Sequence, residues 1–530
     1  MGILISRRLV VPGLFLLGIL SFPVTSIGQM IDRTQAPNTA GDGIAKSLQQ
    51  EIGAGRGDWL IPNSSSFIIA RDPFRAIRRG RQLFQRKFTR TQGQGPGVGD
   101  GSGDIDTVLA IGAGLTDSCA ACHGRPRGSG GTGGNVVTRP DSRDAPHLFG
   151  LGLREMLADE ITMILRGIRA HALDDARASG LAVTRELVAK GIDFGFITGQ
   201  PDGTVDTSGV RGVDPDLRVR PFFAQGGTIS IREFIVGALH AEMGLDVADP
   251  DLARASAGGR VVTPSGIVLD GNLDHVEAPP VPNPGLDPDG NVPGAELPTA
   301  VVDYLEFYLL NYFRPAVTQQ TPFTRLGLLK FKAIGCASCH VPDLPLDRDR
   351  RVADVATRFD PRRGVFNRLF ATATTLVQRL DDLTGLPPLQ QPNLQPFVVS
   401  NIFTDFRRHD LGPSFYERNW DGTVQTEFMT RALWGVGSRA AYGHDGRSVT
   451  LEDAILRHGG EAQPARDAFA ALSAENQAAI IEFLRTLVLF PPDDTASNLD
   501  PGDPATPMFP QFGHGSIKLR VLFNDPSDPE

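Results

Sequence analysis

All four cysteines of the chain fall in two copies of one pattern, Cys119-Ala120-Ala121-Cys122-His123 and Cys336-Ala337-Ser338-Cys339-His340. In this pattern each cysteine can add across one vinyl group of a haem and form a thioether. The three-residue step places both sulfurs on one side of a helical turn, and the adjacent imidazole is left facing the iron as its proximal ligand. Paired cysteines also serve as redox dithiols, zinc ligands or structural disulfides. A dithiol does not need a histidine at the fifth position, and a four-cysteine zinc site leaves both histidines unexplained. The pattern therefore predicts two covalently bound c-type haems, with His123 and His340 as proximal ligands.

Eight further histidines could face either iron from the other side: His147, His171, His240, His275, His409, His444, His458 and His514. Local pattern favours His458. Thr450 can cap a helix that starts at Leu451, with Asp453 at the reciprocal position. Leu451, Ala454, Ile455 and His458 then follow the i, i+3, i+4, i+7 spacing of one buried face, and Gly459-Gly460 stops the helix just beyond. His458 reads as a distal ligand, with a core histidine satisfied by a carbonyl as the rival reading.

The same test at 231–243 picks out a carboxylate. Ser230 and Glu233 have capping-box spacing, and Gly244 lies just past the end. Ile231, Phe234, Ile235, Ala238 and Leu239 form an apolar stripe with Glu242 near its centre, while His240 falls on the opposite face. A carboxylate there is costly unless paired or protonated. Glu242 is thus either an acid–base group whose pKa desolvation raises or one half of a buried Glu–Arg pair.

Helical periodicity also predicts helices at 74–88, 154–169, 299–312, 323–334, 451–458 and 474–488. Gly-rich stretches at 93–103 and 124–134 flank the first motif, and 246–298, rich in Asp, Pro and Gly, reads as a long excursion. With 60 glycines and 40 prolines the connections should be long and irregular. Few segments alternate at period two. The expected fold is mainly α, with two cytochrome c-like haem domains joined by such connections. Its expected divisions are an export signal at 1–28, an N-terminal segment at 29–68, a first haem domain at 69–316, a second at 317–490, and a turn-rich tail at 491–530.

A net charge of -9 over 530 residues argues against nucleic acid as a partner. One basic run, Arg75, Arg78, Arg79, Arg81, Arg86, Lys87 and Arg90, reads as a solvated helix face, or else as a docking patch for an acidic redox partner. Arg7 and Arg8, the apolar run at 9–22 and the small polar residues around Ser26 form an export signal. The run is too short to span a bilayer comfortably. The expectation is a cleaved signal and a periplasmic protein that is not integral to the membrane.

With these residues in view, the chain from about Phe74 onward resembles the dihaem oxidoreductase family. That family is related to bacterial dihaem cytochrome c peroxidases and to the dihaem enzyme that matures tryptophan-derived quinone cofactors. The resemblance rests on both haem motifs together with Leu148-Phe149-Gly150-Leu151-Gly152-Leu153, His409-Asp410-Leu411-Gly412 and Leu433-Trp434-Gly435-Val436-Gly437. Tyr442-Gly443-His444-Asp445-Gly446-Arg447 and Arg457-His458-Gly459-Gly460-Glu461-Ala462 complete it.

The resemblance implies that His458 occupies the distal position of the C-terminal haem. Bis-histidine ligation there lowers the potential relative to a His/Met pair. It implies His444 near that haem without binding iron, His147 in a backbone-packing stretch, and an open N-terminal haem with Glu242 above it. Related peroxidases commonly hold a structural Ca²⁺ between domains, although no Asp-rich loop here matches its ligand pattern. Trp434 reads as a core residue, with a place between the haems as the other reading. The implied activity is reduction of a peroxide-like small substrate, or peroxide-driven oxidation, at the N-terminal haem. The C-terminal haem would relay electrons from a small redox protein or other donor. An electron carrier with both haems six-coordinate, and an enzyme oxidising residues on a partner protein, are the alternatives.

Overall fold

Asp72 opens the first long helix, α1 (Pro73–Gln85): its carboxylate accepts the Arg75 N–H at 3.3 Å, and Pro73 sits where a missing N–H costs nothing. This helix carries the basic run, and the solvated face expected of it is absent. Arg78, Arg79, Arg81 and Arg86 are at most 5% exposed. Arg86 pairs with Glu51 at 3.1 Å, and Arg79 donates to the Tyr304 hydroxyl and the Asn63 amide oxygen, both at 2.8 Å. Buried partners far away in sequence allow these charges to leave water. Lys87 and Arg90 lie outside the described residues.

The computed structural model describes residues 47–86, 88, 116, 118–123, 135–136, 143–280, 295–359, 369–419, 422–438 and 440–489. The export signal, the tail, His514 and the two Gly-rich stretches beside the first motif lie outside them.

Helix α2 (Leu151–Ser179) runs for 29 residues, well beyond the expected 154–169. Gly150 starts it at φ 71°, and a Cβ there would come within 2.5 Å of the Trp434 ring. Only glycine allows that backbone to turn left-handed against the indole. Helix α3 (Ile231–Met243) has the predicted capping box and left-handed Gly244. Its buried residues include Ile231, Arg232, Ile235, Val236, Leu239 and Met243, so the buried stripe is rotated from the expected one. Glu242 therefore lies on a half-buried flank rather than at the stripe's centre. Helix α4 (Thr299–Leu310) is buried on every face from Ala300 onward and packs against α1 and α3. Arg232 is fully buried and binds Asp249 at 2.8 Å, Asp303 at 3.1 Å and Glu306 at 3.3 Å, locking α3 to α4.

Helix α5 (Pro322–Ala333) leads into the second motif and packs against α8 (Ala474–Arg485). Between them in sequence come α6 (Leu451–Arg457) and α7 (Gln463–Ala470). Helix exceeds strand, and short antiparallel sheets are interleaved with the helices. β1 (Val183–Ala189), β2 (Ile192–Gly199) and β3 (Val205–Asp206) form a three-stranded sheet that lies on α2. β4 (Ala353–Phe359) pairs with β5 (Leu369–Thr375), and β6 (Val377–Leu380) with β7 (Leu389–Pro392). The excursion at 246–298 also holds structure: a helix at Pro250–Ser256 and a hairpin of Arg260–Val262 with Val268–Asp270.

Three apolar clusters organise the interior. One surrounds α1, α3 and α4; a second joins α2 and its sheet to Leu344, Phe406 and Trp434; a third gathers Phe331, Phe403, Phe469 and Phe483. Among the described residues no helix is long and apolar enough to cross a membrane.

Candidate haem sites

Cys336–Ser338 forms a 3₁₀ turn directly after α5, and both cysteines of this second motif are free and half-buried. The Nδ1 of His340 lies 3.0 Å from the Phe403 carbonyl oxygen. Because a carbonyl only accepts, Nδ1 carries the proton and Nε2 keeps its lone pair. Burial pushes this imidazole down to about 4, so it is neutral and able to ligate. Phe331, Phe403 and Phe483 contact one another edge-on or tilted, and Phe331 lies 6.2 Å from the His340 ring.

His340, Cys336 and Cys339 line a cavity of about 510 Å³, within the about 300–1,000 Å³ usual for ligand sites. His458 lines the same cavity and comes close enough to His340 to influence its charge. It caps the C-terminus of α6, with Nδ1 at 2.7 Å from the Ala454 carbonyl oxygen, and burial lowers its pKa. The carbonyl of the rival core reading is thus present, but it occupies the Nδ1 proton and leaves the Nε2 lone pair free of it. Thr450 caps α6 through the Asp453 N–H at 3.0 Å, whereas the Asp453 carboxylate accepts from Val449 at 3.2 Å instead of closing a capping box.

A brace not visible in the sequence holds the end of α6. Arg457 donates to both carboxylate oxygens of Asp445 and lies 4.2 Å over the Phe415 ring, which itself meets His458 edge-on at 5.3 Å. His444 stacks on Phe428 at 4.1 Å and also lines the cavity. Its Nε2 is 2.9 Å from the Glu417 carboxylate, out of line for a good hydrogen bond.

His409 sits between two carboxylates, Asp405 on Nε2 and Glu461 on Nδ1, each at 2.8 Å. Burial opposes its charge, but Asp405, with a smaller contribution from Cys339, raises its pKa to about 11. Cys339, Asp405 and His409 are the one group with metal-ligand spacing among the described residues. A sulfur, a nitrogen and a single carboxylate do not suit Ca²⁺, which takes oxygen ligands.

The first motif is one helical turn, Cys119–His123, with Nδ1 of His123 at 2.7 Å from the Pro146 carbonyl oxygen. Burial pushes the Cys119 thiol up to about 12 and Cys336 to about 11. In both cases burial is the main cause. Cys122 is raised first by burial and next by the Glu242 carboxylate, so the structure brings Glu242 beside the first motif. The Thr116 N–H donates to the Glu242 carbonyl at 3.2 Å and ties the two segments together.

His147 uses both ring nitrogens on backbone: Nε2 donates to the Trp434 carbonyl at 2.7 Å and Nδ1 accepts from Phe149 N–H at 3.2 Å. It is not available to iron. Trp434 is 5% exposed and packs in the core, as the core reading expected, and it also lines the cavity. His171, His240 and His275 are exposed, and His240 pairs with Asp246 at 2.7 Å.

Two cysteines, a half-buried neutral imidazole fixed through Nδ1 and a second such imidazole on the same cavity are the residues that would hold a haem. Residues 372–487 match the family described as "Di-haem oxidoreductase, putative peroxidase". The matched segment carries His409, Trp434, His444 and His458 and follows both cysteine motifs, and the match is to the family that the motifs resembled. No curated protein matches the chain. Among solved structures, hydrazine synthase of Kuenenia stuttgartiensis, pressurized with xenon, is similar at 14% identity and a TM-score of 0.31, covering 82% of this chain and 94% of that one.

Proposed function

We propose that this protein is a dihaem c-type oxidoreductase that reduces peroxide, or uses it to oxidise a substrate, at its first haem. Cys119 with Cys122, and Cys336 with Cys339, would each hold a haem through two thioethers, with His123 and His340 as the histidines that would face the iron. The observation that carries the reading is the pair His340 and His458, neutral, fixed through Nδ1 and sharing one cavity. His340 and His458 would both hold the iron of a haem bound there, which would leave it no place for substrate and suit it to electron transfer. Bound haem supplies iron that stores an electron and, where an axial position is open, a place for peroxide.

At the first site no histidine near the motif besides His123 is available among the described residues, since His147 is committed to backbone. Glu242 beside Cys122 is the group suited to proton movement. Its carboxylate can take the proton from one peroxide oxygen and return it to the other. Water then departs instead of hydroxide, a poor leaving group. Two further protons and two electrons complete the reduction to two waters. An exported protein fed by a small redox protein fits this chemistry and the N-terminal pattern.

Steady-state peroxide turnover of the holoprotein with a panel of reduced donors tests the proposal. Glu242→Gln should keep both haems and the melting temperature and slow turnover by about 10²–10⁴-fold. Wild-type turnover in that variant removes Glu242 from the mechanism. Two low-spin haems with no peroxide reaction would instead make the protein an electron carrier.

A further inference from the structure

Among the described residues Arg154 is a buried charge without a countercharge. It stands in the first turn of α2, is 9% exposed, and lines the cavity that His340 and His458 share. Its guanidinium donates to the Pro221 carbonyl and lies over the Phe222 ring, 5.8 Å from the centre. The charged group that acts on it is Arg431, of the same sign, which also lines the cavity. Burial and Arg431 push its guanidinium down to about 9.

Five other buried arginines each have a carboxylate partner. Arg71 pairs with Asp382, Arg86 with Glu51, Arg218 with Asp159, Arg232 with Asp303 and Arg351 with Asp349. A carbonyl satisfies one N–H of Arg154 but not its charge, and a guanidinium does not shed its proton in proteins. A buried cation of this kind calls for an anion, and the space beside it is the cavity.

We infer that Arg154 receives a carboxylate of the haem held by Cys336, Cys339 and His340, and so anchors the second haem to helix α2. The inference rests on the haem reading proposed above. A haem bears its two carboxylates on the edge remote from its vinyl groups. Cys336 packs with the Phe331, Phe469 and Phe483 cluster, while the neighbours of Arg154 on α2, Leu153 and Met156, pack with Trp434 in another. The cavity thus offers sulfur on one wall and a fixed cation on a different one. A guanidinium is suited to grip a carboxylate with two parallel hydrogen bonds. A positive charge held there also opposes loss of an electron from the nearby iron, which keeps the potential up.

The test uses the holoprotein. Haem staining of denatured wild type comes first: no covalent haem would refute the functional reading and this inference with it. If two haems are present, Arg154→Gln should lower the reduction equilibrium of the low-spin haem about tenfold, which is about 59 mV for one electron. It should also add a pH dependence of that potential near neutrality, as the released carboxylate begins to titrate. Arg154→Lys, which keeps the charge, should restore most of the potential. An unchanged potential and pH profile in a folded, two-haem Arg154→Gln protein overturns the inference, as does an equal fall in Arg154→Lys, which would mean packing alone. A soluble organic acid is the other source of a carboxylate. If added formate perturbs the wild-type spectrum but not that of Arg154→Gln, with potentials equal, Arg154 binds that acid and the haem assignment fails.

Discussion

Replacing His147 by glutamine should make the protein more tolerant of acid. In the native protein His147 is held neutral: burial is the main cause, and its pKa falls to about 3. An unfolded imidazole titrates near 6.5, so below that pH the unfolded chain binds a proton that the folded one refuses. A group whose folded pKa is depressed contributes stability above its unfolded pKa and loses it as pH falls toward the folded value. The window is therefore pH 6.5 down to about 3. At about 1.4 kcal/mol for each step of one in pH, the loss from 6.5 to 4.5 is at most about 3 kcal/mol. The ring is only partly buried, bordering the cavity, so roughly 1–2 kcal/mol is the realistic share. Glutamine can still donate to the Trp434 carbonyl and does not titrate in this range. Guanidinium unfolding midpoints measured at pH 7.5, 6.5, 5.5 and 4.5 should fall less steeply in His147→Gln than in wild type, while the two agree in slope above pH 7. Parallel curves across the whole range would refute the claim that His147 is a neutral buried ring.

Three other outcomes follow from the geometry. Arg232→Met leaves Asp249, Asp303 and Glu306 buried around an apolar chain and should cost about 3–5 kcal/mol, read as a lower denaturation midpoint. Gly150→Ala forces a methyl against the Trp434 ring and a left-handed φ on alanine; a loss of about 1–3 kcal/mol should appear in thermal melting together with a changed Soret spectrum, because Trp434 lines the cavity. His458→Met should raise the potential of the second haem and keep it low-spin, and His458→Ala should open it to exogenous ligands such as imidazole; an unaltered spectrum and potential in His458→Ala would exclude it as a ligand.

Much of the candidate site was legible because its signals are local. The capping box at Ser230, the stripe that ends at His458 and the two cysteine motifs each occupy one or two helical turns. Glu242 was placed less well, since Arg232 displaced the apolar residues as the centre of the buried face of α3, and its carboxylate partners lie in other segments. The same long-range pairing hid the burial of Arg78, Arg79, Arg81 and Arg86. The hairpin β1–β2 left little alternation to read, because Thr184, Arg185 and Glu186 are exposed in succession. The sandwich of His409 and the brace of Arg457 on Asp445 also join residues that only the folded chain brings together.

The cavity beside the second motif draws its wall from both sides of residue 316: Pro146, His147 and Arg154 precede it, while Cys336, Cys339, His340 and His458 follow. The segments around the two motifs are consequently not interchangeable modules. A C-terminal fragment would carry its motif and both imidazoles yet lack part of its enclosure, and a swapped N-terminal half would have to bring a matching 146–154 segment with it. Residues beside the first motif are in this way inherited as part of the cavity of the second, and change at either must be accommodated at both.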